Sequence, residues 1–341
     1  MRAIVQDAYG TADTWRFTDS AERPVPGDDE VLVRVRAAGM DAGVWHLMTG
    51  TPYLIRLLGY GLRRPKRRVP GMDLAGTVEA VGAHVTRLRP GDEVFGMGRG
   101  AYAEYACAPQ GKLAPKPPSL SFEQAAAVPV SGLTALQALR DLGQLHAGQR
   151  VLVIGASGGV GSYAVQLAKA YGAEVTGVCG SEKADLVRSL GADHVVDYTR
   201  TDVTDVGGLT DGGPADVGPT RGGGGFDLVL DIAGGRPVSR LRRTLAPGGT
   251  LVLVGNEHGS RWAGGMGRVL GAALLSPFLG RRRVRPMATA ERYEDLLVLA
   301  EFIEAGKLTP ALDRTYPLAE AAEAVRSLAR RRVRGKSVLS V

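Results

Sequence analysis

The chain has 341 residues, 44% hydrophobic and 23% charged, with a formal net charge of +7; this excludes a disordered polypeptide and indicates two domains, each able to bury its own core. Its two cysteines, Cys107 and Cys179, exclude a disulfide framework and a four-cysteine zinc lobe. The first residues enter an alternating pattern without a charged leader, and the most lipid-like run, 269–280, is too short to span a bilayer, so we expect a cytoplasmic protein with no membrane partner.

From residue 1 to about 118, short alternating segments such as Val31-Leu-Val-Arg-Val-Arg36 and Gly76-Thr-Val-Glu-Ala-Val-Gly82 are punctuated by Gly and Pro, as in a small β-barrel. Within it, Tyr53-Leu-Ile-Arg-Leu-Leu-Gly-Tyr60 reads either as a lid or wall of a substrate cleft or as an amphipathic helix packed on the barrel; periodicity does not separate the two. The basic residues that follow, Arg63 to Arg68, like Arg281-Arg282-Arg283 and Arg330-Arg331-Arg332, lack interleaved aromatics and match no nucleic-acid module. They read as solvated surface, and no nucleic-acid partner is expected.

From about 120 to 287, strands alternate with helices: 151–155, 174–178, 194–197, 227–231 and 250–255 are expected in one parallel sheet. Residues 203–225, rich in Gly, Asp and Thr and without periodicity, read as a surface loop rather than a site. The tail holds helices over 293–305 and 318–329, then a strand, Lys336-Ser-Val-Leu-Ser-Val341, expected to return to the first domain.

The most informative stretch is Val151-Leu-Val-Ile-Gly-Ala-Ser-Gly-Gly-Val-Gly161, an apolar strand that stops in closely spaced glycines and passes at once into a helical pattern. Strand, tight turn and helix in this order make a dinucleotide site: Gly158 and Gly159 admit a pyrophosphate, flanked by Ser157 and Val160, and Gly161 leaves room for helix against strand. The helix N-terminus then offers unpaired N–H groups to the phosphates. About 20 residues on, an NAD site would carry Asp or Glu at the end of the next strand. Here stand Cys179-Gly180-Ser181-Glu182-Lys183, in which Ser181 and Lys183 can meet a 2′-phosphate that a carboxylate would repel. The expected cofactor is NADPH.

Several motifs in order, Pro90-Gly-Asp-Glu-Val94, Ala101-Tyr-Ala-Glu-Tyr105, Gly132-Leu-Thr-Ala-Leu136, the glycine turn and Gly335-Lys336, resemble the medium-chain dehydrogenase/reductase superfamily, in particular its quinone oxidoreductase branch. The resemblance implies a GroES-like β-barrel catalytic domain over 1–123, completed by 288–341, and an α/β Rossmann domain with a doubly wound parallel sheet over 124–287. It also implies a homo-oligomer, such as a homodimer, with 269–278 as a possible subunit contact. Against the family's zinc-binding members, Asp41 stands at the first ligand cysteine, Met72 at the ligand histidine and Val130 at the remaining cysteine. Such a set cannot supply three zinc ligands, so no metal is expected.

Without a Lewis acid, reduction of an isolated ketone loses its main source of charge stabilisation, whereas a conjugated acceptor delocalises the developing charge. The expected reaction is hydride transfer to a quinone or α,β-unsaturated carbonyl. An alcohol dehydrogenase or carbonyl reductase, and a non-catalytic NADPH-binding redox sensor, are the alternatives. For the catalytic side, Tyr53 resembles an active-site tyrosine of zinc-free relatives and reads either as a proton donor or as the wall of an apolar pocket. Asp41 is a candidate near the nicotinamide ribose, although many relatives carry Asn there. His46 aligns with a proton-relay histidine but reads better as structural or ribose-contacting. For the cofactor, Thr134 resembles a threonine near the nicotinamide, or else caps a helix. Tyr198 matches a tyrosine beside the adenosine phosphate, or is an ordinary strand-end aromatic. Gly255 and Asn256 close a strand at the sheet's carboxyl edge, and Lys336 matches a tail lysine that reaches the cofactor, or is simply solvated.

Overall fold

The computed structural model describes residues 1–204, 225–255 and 283–341. Packing divides the chain into one unit of Met1–Leu133 with Ala290–Val341 and another of Thr134–Thr289. Asn256, the 269–278 segment and all but the ends of the 203–225 stretch lie outside the described residues.

The first unit is organised by the long strand Glu30–Met40, which buries Val31, Val33 and Val35 while Arg34 and Arg36 stay in solvent. Burying each such valine contributes about 1.5–3 kcal/mol. The strand pairs antiparallel with Asp73–Val81, with Tyr105–Pro109 and with the C-terminal Lys336–Ser340, where Ser337 faces Met40 and Ser340 faces Ala37. The tail strand thus joins the N-terminal sheet. Glu93–Met97 and Leu113–Pro115 extend the sheet on one side, and Leu312–Pro317 joins parallel to the tail strand on the other. A hairpin of Ala3–Gln6 and Trp15–Thr18 adds Trp15 to the core, its ring edge-on to buried Tyr102 at 5.6 Å between centroids.

The break after Leu133 lies beyond the sequence-derived boundary at 123. Its physical reason is the short helix Phe122–Ala126, which packs on Glu30–Met40 and Asp73–Val81. A capping box starts it: the Gln124 amide donates to the Ser121 hydroxyl, and the Ser121 amide donates to the Gln124 side-chain oxygen.

Among the described residues the second unit carries a six-stranded, wholly parallel sheet in the order His194–Asp197, Glu174–Cys179, Arg150–Ile154, Phe226–Asp231, Leu245–Leu253, Arg283–Pro286. Chain order reverses between Arg150–Ile154 and Phe226–Asp231, the point at which doubly wound sheets collect ligands. Five strands overlap the apolar runs of the sequence, the fifth running Leu245–Leu253 rather than 250–255. The sixth, Arg283–Pro286, escaped notice because it is short, carries two arginines and buries only Val284.

Candidate functional site

The glycine turn after Arg150–Ile154 is built as its glycines require. Arg150–Ile154 ends at Gly155, whose φ of +92° no side-chain-bearing residue adopts easily, and the amides of Gly155 and Ala156 both donate to the Val178 carbonyl (3.1 and 3.0 Å). The helix Gly159–Ala170 follows, with Gly158 as its N-cap and no side chain capping it. Its first-turn amides are therefore open to an anionic ligand, and Gly158, Gly159 and Val160 are only half-buried. A Cβ on Gly161 would run into the Gly155 carbonyl oxygen and the Ala156 backbone, so the turn can close only on glycine. Ser157 is buried beside it.

At the ends of the neighbouring strands the structure gathers Gly180, Ser181, Asp197 and Tyr198. The Tyr198 amide donates to the Cys179 carbonyl (3.1 Å), and its half-exposed ring lies beside Gly180. Ser181 donates its hydroxyl to Asp197 Oδ2 at 2.7 Å, and Thr199 donates its amide and hydroxyl to Oδ1. Those bonds, the one from Ser181 foremost, hold the Asp197 carboxyl below its ordinary range. Lys183, half-buried, closes the short turn Ser181–Lys183, and Arg200 adds positive charge near Asp197. Asp197 was missed as a site residue, although it visibly ends the apolar run of a parallel strand.

Further along the same sheet edge, the Gly255 amide donates to the Asp231 carbonyl at 3.0 Å, and a Cβ on Gly255 would strike the Ile232 carbonyl oxygen. Buried Asp231 accepts from the Gly234 amide at 3.1 Å. Thr134 sits inside the helix Pro129–Gln137, not at its N-terminus, so the capping alternative fails; its hydroxyl is 2.8 Å from that of Thr289.

In the first unit two sequence-derived candidates, Asp41 and Lys336, meet in a buried charge cluster around Asp73. Asp41 caps the helix Ala42–Thr49: its Oδ1 accepts from the Val44 amide at 3.2 Å, while its buried Oδ2 has no hydrogen-bond partner among the described residues. Asp73, fully buried, accepts from the Val130 amide (3.1 Å) and from Lys336 Nζ (3.0 Å); Lys336 also donates to Ser131 Oγ (3.1 Å). Burial pushes the Asp73 carboxyl up to about 6, with Lys336 pulling the other way and the Asp41 charge adding to the rise. Burial foremost, and then the charges of Asp41 and Asp73, hold the Tyr102 phenol well above its usual range.

Lys336 is therefore not a solvated lysine. Two of its donors already serve Asp73 and Ser131, which makes it first a tie between the tail strand and the strand beginning at Asp73. Sequence reasoning missed Asp73 and Ser131 as its partners, because no spacing rule connects positions so far apart. The positions corresponding to zinc ligands do adjoin one another: Met72 reaches the neighbourhood of Gly43, next to Asp41, and Val130 meets Asp73. One carboxylate engaged as a helix cap, one thioether and one alkyl side chain do not make a zinc site.

Tyr53 is half-buried, its ring stacked under the Arg56 guanidinium at 4.7 Å. His46 donates through Nδ1 to the Thr51 carbonyl at 2.9 Å, which suits a structural role. In Arg56–Tyr60, by contrast, Leu57, Leu58 and Tyr60 stand exposed, so a helix packed on the barrel does not describe these residues. Both cysteines are buried, and burial pushes each thiol up to about 11.

Two family models match the chain, one described as alcohol dehydrogenase GroES-like domain over residues 27–118 and one as zinc-binding dehydrogenase over 190–339. Among curated proteins, the chloroplastic quinone-oxidoreductase QR1 of Triphysaria versicolor is 32% identical, covering 95% of this chain and 93% of that protein. Among solved structures, a mycobacterial protein complexed with NADPH is similar at 30% identity and a TM-score of 0.82, with 100% of both chains covered. An NAD-dependent alcohol dehydrogenase is similar at 32% identity and a TM-score of 0.81, again with 100% of both chains covered.

Proposed function

The chain belongs to the medium-chain dehydrogenase/reductase superfamily, alongside quinone oxidoreductases, and from that premise we propose a zinc-independent oxidoreductase that uses NADPH to reduce a quinone or an α,β-unsaturated carbonyl. The observation that carries this is the donor set at the zinc-ligand positions. Asp41, Met72 and Val130 offer one helix-capping carboxylate and no second strong ligand, which leaves the chemistry to acceptors able to delocalise negative charge unaided.

When bound, the dinucleotide supplies the hydride. The residues suited to hold it are Gly158, Gly159, Val160 and Gly161 with Ser157 at the pyrophosphate, and Ser181, Lys183 and Tyr198 at the adenosine end. Lys183 and the absence of a carboxylate at the end of Glu174–Cys179 support NADPH. Asp197, one strand over, favours a second reading in which its carboxylate accepts from a ribose hydroxyl and NADH serves instead. Tyr53 is proposed to donate the proton that completes the reduction.

The remaining alternative, a non-catalytic NADPH-binding redox sensor, would bind the dinucleotide without turnover; Cys179 would not serve it as a reactive thiol, since burial pushes that thiol up to about 11.

Following NADPH absorbance with a panel of quinones, enones, enals, simple ketones and aldehydes tests the proposal. Turnover should be confined to conjugated acceptors. Comparable turnover of simple ketones, or none with any acceptor, would overturn it.

A further inference from the structure

Among the described residues seven large apolar side chains are exposed, and four of these, Leu57, Leu58, Tyr60 and Leu62, fall in one short segment with 46–69% of each side chain's residue surface open to solvent. The backbone under them is pinned. The Arg56 guanidinium stacks over Tyr9 and Tyr53 at 4.3 and 4.7 Å and donates to the Gly50 carbonyl at 2.8 Å. The Tyr9 hydroxyl lies 2.9 and 2.7 Å from the Tyr60 and Gly61 carbonyls, and the Lys66 amide donates to the Tyr60 carbonyl at 2.8 Å. The leucines are thus presented to solvent by a braced turn.

Directly after them come Arg63, Arg64, Lys66, Arg67 and Arg68, all exposed. Arg68 pairs with Asp7 at 2.6 Å. Among the described residues, no carboxylate lies within ion-pair distance of Arg63, Arg64, Lys66 or Arg67.

We infer that this segment docks the protein on an anionic phospholipid bilayer, with Leu57, Leu58 and Leu62 entering the acyl boundary and the basic run meeting the headgroup phosphates. Aliphatic and aromatic side chains beside a cluster of basic ones match that interface on both counts, apolar burial and opposite charge. A second copy of the chain would bring like charge against like charge across a two-fold contact. Nucleic acid would neutralise the arginines but leave the leucines without an apolar partner. No helix among the described residues is long and apolar enough to cross a membrane, so the attachment is to the surface. The sequence alone indicated no membrane partner; the exposure of these side chains is what alters that expectation. That docking also brings the enzyme to bilayer-dissolved quinones rests on the function proposed above, whereas the docking itself does not.

The test is co-sedimentation of the intact protein with phosphatidylcholine vesicles, with and without about 30% phosphatidylglycerol, at low and high salt. Binding should be at least about ten-fold tighter to the anionic vesicles and weaken in salt. Leu57→Ser with Leu58→Ser should weaken it at both salt concentrations, and Arg63→Glu with Arg64→Glu should remove the anionic preference. Turnover of NADPH with a water-soluble quinone should be unchanged in Arg63→Glu with Arg64→Glu. Vesicle binding without turnover would sink the proposed function while supporting the docking. Equal sedimentation of wild type and both variants would overturn the docking, as would a leucine variant that changes only the oligomeric state, or tighter retention on duplex DNA than on vesicles.

Discussion

Lys336 and Asp73 lie 263 positions apart and meet as a buried ion pair, Nζ to Oδ2 at 3.0 Å, that fastens the C-terminal strand to the N-terminal sheet. Removing one member of such a pair leaves the other charged and unpaired in a low-dielectric surrounding. Lys336→Met should therefore cost about 3–5 kcal/mol in urea unfolding. The pH dependence has a definite sign. Burial raises Asp73 from 3.8 to about 6, so this group's contribution to stability is fully present below 3.8 and lost as pH rises to about 6. Without the lysine the folded pKa moves higher still and the loss continues above that window. The deficit should be greater at about pH 8 than at about pH 5; equal deficits would remove the buried carboxylate as its cause.

Gly161→Ala tests the turn itself. The added methyl meets the Gly155 carbonyl oxygen and the Ala156 backbone, neither of which is a flexible side-chain end. Overpacking of this kind costs about 1–3 kcal/mol. Thermal unfolding should register that loss, and NADPH fluorescence titration should show weaker binding. A variant that retains wild-type affinity would show that the first turn of Gly159–Ala170 does not hold the dinucleotide.

The proposed adenosine end offers two charges of opposite sign, and their substitution separates the two cofactors. Lys183→Ala should weaken NADPH binding about ten-fold while leaving NADH nearly unchanged, as expected for loss of one charge-assisted contact to a phosphate. Asp197→Asn gives the complementary measurement. Should it weaken NADH selectively while Lys183→Ala changes neither affinity, Asp197 rather than Lys183 reads the ribose, and the preference for NADPH is wrong.

Tyr53→Phe keeps the ring under Arg56 and deletes only the hydroxyl. If that hydroxyl delivers the proton, kcat should fall by about 100-fold or more with the NADPH dissociation constant unchanged. Steady-state kinetics with an enone acceptor measure it. A kcat within a few-fold of wild type would leave Tyr53 as an aromatic wall.

Metal analysis of the purified protein, with turnover measured before and after a chelator, tests the donor-set argument. Zinc should be far below one equivalent and turnover should survive chelation, because Met72 and Val130 do not supply the Cys, His or carboxylate ligands zinc takes and Asp41 alone cannot hold the ion. A stoichiometric, activity-linked zinc would require ligands other than these three positions.

Much of this protein is legible in its sequence because the relevant constraints are local. A strand that breaks on Gly155 and Gly161 can do little else, since positive φ at one and the absence of a Cβ at the other are demanded within a single turn. Buried parallel strands must be continuously apolar, so five of the six in the second unit announce themselves, and Arg283–Pro286, with one buried side chain, does not.

Every relation between distant charges and surfaces, by contrast, comes from folding. That Lys336 faces Asp73 and Ser131, that Ser181 gives its hydroxyl to Asp197, and that Leu57 and Leu58 point to solvent are invisible in any window of neighbouring residues. Composition and periodicity report which side chains prefer to leave water. Which polar groups then satisfy one another, and which apolar ones find no cover, depends on strand pairing and burial across the whole chain, and those exist only once it has folded.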